Sequence, residues 1–178
     1  ISCFESSFGS SHPSTITASL NFATSMLESG DVWGMEMMRI TALITFGKSP
    51  SSKTGIVGLI MDSKLEPVKG VSRDLVAGFL NSVGVSLNRS ASSFVKDDPD
   101  LMRTVLDARD RAYEKAFNFA QNESTKALIL YNQSQSLIED NPQEAESKLQ
   151  QYLVAQENTL GKDSWRLSPV LTSMINLY

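Results

Sequence analysis

Apolar residues recur at helical spacing through most of this chain. From Ser14 onward, Leu20, Ala23, Met26 and Leu27 fall on one face, with Ser14 or Thr15 placed to cap. Gly30 then suits the left-handed residue just past a helix end. Trp33, Met37, Ile40, Leu43 and Ile44 predict a second helix over 32–45, followed by a loop rich in Ser, Lys and Pro. The apolar run from Ile56 to Met61 is too short for periodicity to choose between a buried strand and a helical turn, which leaves room for one short strand pair here. Ser72 caps the next segment, where Leu75, Val76, Phe79, Leu80 and Val83 predict a helix to about Leu87. The serine-rich stretch 88–96 then reads as a connection.

Helix signals strengthen beyond that point. Asp97-Asp98-Pro99-Asp100 places carboxylates and a proline where a helix begins, and the pattern runs to Phe119. A further helix is predicted over 123–138. Asn141-Pro142-Gln143-Glu144 opens another with capping-box spacing. The pattern divides the chain into a polar segment over 1–13, a helical region with an irregular middle over 14–96, and helical hairpins over 97–178. The fold class is mainly α, built of stacked antiparallel helix hairpins.

The last third carries a resemblance. The run from Pro142-Gln143-Glu144-Ala145 through Leu149-Gln150-Gln151-Tyr152-Leu153 to Leu160-Gly161-Lys162-Asp163, continued by Ser168-Pro169-Val170-Leu171-Thr172, resembles a tetratricopeptide repeat of the longer kind found in kinesin light chains. The resemblance covers residues 122–178 and implies an α-solenoid segment whose paired helices form a groove for other proteins. It implies an apolar first-helix face of Ala127, Leu128, Leu130, Tyr131 and Leu137, packed by Leu149, Tyr152, Leu153, Ala155 and Leu160 of the second helix. Leu130, Tyr152 and Leu153 are expected between adjacent helices. Pro169, Leu171, Met174, Ile175 and Tyr178 begin a further hairpin, whose partner helix is due where the sequence stops. Such grooves are lined mainly by the first helix of each pair. This implies Asn122, Lys126, Leu130, Gln133 and Thr172 as exposed partner-binding residues.

Charge and chemistry narrow the partners. A net charge of −4 with scattered Lys and Arg argues against nucleic acid or anionic membranes, which need clustered cations. No apolar run approaches the roughly twenty residues of a membrane span. Cys3 is the only cysteine, so neither a disulfide within the chain nor a cysteine metal cluster forms. This fits a reducing cytoplasm, and equally a secreted helical protein without staples. Ile1-Ser2-Cys3 has a faint likeness to a lipoprotein cleavage site, but cleavage there would remove Ile1 and Ser2.

Candidate chemistry is thin. The stretch 42–49 satisfies a relaxed phosphate-loop pattern, yet its residues before Gly47 are bulky and Pro50 follows where a helix should start. Lys53-Thr54-Gly55 matches one of three motifs of penicillin-interacting serine enzymes, without the other two. His12, the only histidine, stands in a serine-rich loop and reads as solvated, with no metal or triad partners in its vicinity. Carboxylate pairs such as Asp97/Asp98 and Glu139/Asp140 sit at helix ends, where capping accounts for them. Asn88, Asn122 and Asn132 head Asn-x-Ser triplets, which a serine-rich chain generates by chance.

The sequence therefore reads as a non-enzymatic protein-interaction scaffold, without cofactor or metal, that binds a protein or peptide and is free to form homo- or hetero-oligomers. Two rivals stand beside it. One is a structural subunit of a larger assembly, such as a secretion-apparatus or virion component, or a lipoprotein-type accessory factor. The other is an enzyme with its site in residues 47–96, near Lys48 and Lys53.

Overall fold

The computed structural model describes Ser7, Gly9 and residues 12–29, 34–49, 54–62, 65–94 and 98–177. Gly30, Trp33, Lys53, Asp97, Cys3 and Tyr178 lie outside the described residues. Within them the chain forms α1 (Pro13–Ser29), α2 (Gly34–Thr45), α3 (Ile56–Met61), α4 (Arg73–Phe94), α5 (Pro99–Phe119), α6 (Glu123–Leu137), α7 (Pro142–Leu160) and α8 (Ser168–Ile175). A single 3-10 turn, Trp165–Leu167, precedes α8. The mainly α architecture of packed helix pairs is as the pattern predicts.

Several starts follow from local chemistry. Asp98 accepts the Leu101 amide at 3.0 Å at the head of α5, with Pro99 in the first turn. Asn141 accepts the Glu144 amide at 3.2 Å, and its side-chain amide meets the Glu144 carboxylate at 3.1 Å, a side-chain variant of the capping box. At α1 the cap is His12, not Ser14 or Thr15: its ring Nδ1 accepts the Ser14 amide at 3.2 Å. The sequence reading of His12 as a solvated residue thus gains a structural role, while Thr15 is fully buried in the core.

One choice left open by the sequence closes, and one element departs from expectation. Ile56–Met61 is a helix and not a strand, since Ile56, Leu59 and Ile60 are buried together, a helical spacing. The serine-rich stretch after Leu87 continues α4 to Phe94. Ser90 returns its hydroxyl to the Ser86 carbonyl, and Ala91 is buried.

One large core joins α1 to α5 and reaches Ile129 of α6. α4 is its axis, packing on α1, α5 and α6. Gly84 permits a close approach there: a Cβ at this position would sit 2.8 Å from the Tyr113 ring. A smaller cluster of Leu149, Leu167 and Val170 holds α7 to α8, flanked by Tyr131, Tyr152 and Leu153. The expected burial is met by Leu130, whereas Tyr152 and Leu153 are only half-buried. Leu128, expected in the core face, is 52% exposed, and Ile129 takes the buried place.

Candidate protein-binding groove

α6 decides the surface, because it packs against α4, α5 and α7. Its placement begins at Asp74 in the first turn of α4. One Asp74 carboxylate oxygen accepts the Gln121 amide at 2.8 Å and the Asn122 amide at 2.9 Å, fixing the α5–α6 turn. Asn122 then caps α6 by accepting the Ser124 amide at 2.8 Å.

The other end of α6 is held by Arg109, whose side chain is only 3% exposed. Its guanidinium donates to Asp110 at 2.8 Å, to Asp140 at 2.9 Å, to the Asn88 side chain at 2.9 Å and to the Ser136 carbonyl at 3.0 Å. Burial opposes the Arg109 charge, but the bonds to Asp110 and Asp140 carry its pKa above the ordinary value. Beside it the Tyr113 hydroxyl pairs with Ser136 at 2.8 Å. Burial pushes the Tyr113 pKa up to about 12, with the Ser136 bond opposing. Asn88 is thus committed to the Arg109 network.

Between these anchors, α1, α4 and α6 enclose a groove of about 470 Å³. Its apolar lining includes Leu75, Phe79, Val85 and the exposed Leu128. At its base the Asn132 side-chain amide donates to Asn81 Oδ1 at 3.2 Å across the α4–α6 contact. Asn81 is only 5% exposed. The bond uses one donor and one acceptor of the pair. The Asn81 amide nitrogen and the Asn132 carbonyl oxygen have no protein partner among the described residues and remain for a ligand in the groove. Exchanging the N and O of both amides together keeps the bond and still leaves one amide nitrogen and one carbonyl oxygen open, whereas exchanging one alone would set two like atoms face to face. Arg89 lines the groove without a carboxylate partner among the described residues.

The five residues implied by the tetratricopeptide resemblance do not form one surface. Leu130 and Gln133 line a separate cleft between α5 and α7, and Leu130 is 7% exposed, a floor residue and not an exposed contact. Asn122 is exposed but spends its side-chain oxygen on the cap. Lys126 pairs with Glu123 at 2.8 Å. Thr172 is exposed on α8 and bonds back to the Ser168 carbonyl at 2.9 Å. The groove residues that sequence reasoning missed are Asn81, Leu128 and Asn132. Their one signal was an Asn inside the strongly apolar α4, where a buried amide demands partners.

The phosphate-loop pattern is resolved by geometry. Gly47 has φ +66°, its amide bonds to the Ile44 carbonyl at 3.2 Å and the Lys48 amide to the Leu43 carbonyl at 2.7 Å. These bonds form a Schellman cap on α2, so the N–H groups a phosphate would need are already engaged. Lys48 lies 3.8 Å from Asp62 on the surface. Among the described residues no cluster of three His, Cys, Asp or Glu has metal-site geometry, and no helix is long and apolar enough to cross a membrane. No family model matches the chain, and no curated protein or solved structure matches it.

Proposed function

We propose that this protein is a non-enzymatic interaction scaffold, similar in principle to tetratricopeptide-type repeats, whose groove over α4 binds an extended segment of another protein. The observation that carries this reading is the Asn81–Asn132 pair. A peptide group offers one acceptor and one donor, the complement of the donor and acceptor that this pair leaves open. Leu128, Leu75 and Val85 supply apolar contact for an adjoining side chain, and Arg89 supplies charge for an acidic one. The arrangement is preformed, because Asp74 and Arg109 hold α6 at both ends.

The test is selection of binders from a random peptide library on the folded chain, followed by titration of a selected peptide. Asn132→Leu is expected to weaken binding about tenfold or more by leaving Asn81 and the ligand amide unpaired. Selected peptides that ignore both Asn132→Leu and Leu128→Lys would refute the groove.

A second reading, a subunit of a larger assembly, is favoured by one feature. Trp165 is 80% exposed, Ile175 72% and Leu171 45%, an apolar surface at the α8 end of the molecule. Sedimentation velocity over a wide concentration range tests it: concentration-dependent assembly supports the subunit reading, and a single monomeric species removes self-assembly through this surface.

A further inference from the structure

A second cleft, of about 750 Å³, opens between α5 and α7. Both helices pack on α6, which spaces them apart, and Leu130 and Gln133 form the floor. Apolar side chains stand open at its edge, with Met61 41% and Phe117 36% exposed. The α5 wall carries Asp107, Asp110 and Glu114, spaced three and four residues apart and therefore on one face. Asp110 is engaged by Arg109, whereas Asp107 and Glu114 have no hydrogen-bond or ion-pair partner among the described residues. Glu144 lies on the α7 wall. Four carboxylates against two cations, Arg111 and Lys148, leave two negative charges in excess.

Two helices flanking a third, over a floor of Leu130 and Gln133 with Met61 and Phe117 open at the edge, leave the fourth position of a helix bundle empty. We propose that this cleft docks a basic amphipathic helix of another protein in that position. Its apolar side chains cover Phe117 and Met61, and its Lys or Arg residues face Asp107 and Glu114. The site is separate from the groove over α4 and takes a helix in place of an extended chain, so either proposal can fail without the other.

The probe is a labelled Leu/Lys peptide of about 18 residues with Leu at i, i+3, i+4 and i+7, about 27 Å long as a helix. The comparison peptides are a scrambled sequence without an apolar face and a Leu/Glu version. The proposal expects saturable binding of the Leu/Lys helix alone, weakened about tenfold or more by Asp107→Lys with Glu114→Lys. Phe117→Ala is expected to weaken it several-fold, while Glu157→Lys with Asp163→Lys, the same charge change elsewhere, has less than a twofold effect. Melting curves of each variant separate lost binding from lost fold. The proposal is overturned by equal binding of the scrambled peptide, by preference for the Leu/Glu peptide, or by absence of binding. Indifference to the Asp107/Glu114 reversal in a folded variant overturns it as well.

Discussion

α4 and α7 are of similar length, 22 and 19 residues, yet they sit in the molecule differently. α4 buries apolar side chains from Val76 to Ala91 and touches helices on several sides. α7 buries only Ala145 and Leu149, leaving Val154 56% exposed, and its far neighbour α8 buries Val170 alone. Burial of apolar area is the dominant stabilising term, so the large core of α1–α5 and Ile129 carries most of the stability, while α7, though packed closely along α6, and α8 add little apolar burial. The groove lies on the firm side of that divide, walled by α1, α4 and the end-anchored α6.

The largest effect is expected at the joint between the two regions. Arg109→Ala removes the cation shared by Asp110 and Asp140 and strips a partner from Asn88 and the Ser136 carbonyl. Breaking a buried ion pair costs about 3–5 kcal/mol. Both carboxylates are 47% exposed and can rehydrate, so the lower end, about 3 kcal/mol, is expected in denaturant unfolding. A loss below about 1 kcal/mol would show that α6 is not held there.

Leu149→Ala comes next. It empties the centre of the small cluster that also holds Leu167 and Val170, a change that costs about 2–5 kcal/mol where a core cannot collapse. The half-exposed surroundings favour collapse, which sets the expectation near 2 kcal/mol. Proteolysis within residues 161–167 is expected to accelerate while the α1–α5 body stays folded. Simultaneous loss of both regions would merge them into one cooperative unit.

These residues also show how much the sequence disclosed. Helix starts at Asp98-Pro99 and Asn141-Pro142 were legible because the capping chemistry is local. The face of α6 was not. It is contacted by α4, α5 and α7, so its apolar residues spread around the helix, and the tetratricopeptide resemblance assigned Leu128 to the core in place of Ile129. The groove was illegible for a related reason: Asn81 and Asn132 are 51 residues apart, and only packing brings them together. The continuation of α4 past Leu87 was hidden by a serine-rich stretch that favours loops, in which Ser90 instead bonds back to the Ser86 carbonyl along the helix.

Alkaline pH sharpens the comparison further. The Tyr113 phenol has its pKa raised by burial from 10.0 to about 12, so folding favours the neutral form. Its contribution to stability is intact below pH 10 and is lost as pH rises from about 10 to about 12. Stability curves of wild type and Tyr113→Phe are expected to converge across that window. Parallel curves would place Tyr113 in a wetter site.

The smallest effect is expected at the outer end. Trp165→Ser alters an 80% exposed side chain whose ring centroid lies 5.8 Å from the Arg166 guanidinium, so stability should move by no more than about 0.5 kcal/mol. Any assembly dependent on this surface should weaken without a change in melting temperature.

The most direct test of a rigid groove beside a loosely held end is amide hydrogen exchange, free and with a library-selected peptide bound. The expected free-state result is slow exchange in α1, α4 and α5, with much faster exchange in α7 and α8. On binding, protection should rise in α4 around Asn81 and in α6 around Asn132, with α7–α8 unchanged. Uniform exchange along the chain, or ligand protection concentrated in α7–α8, would contradict the account.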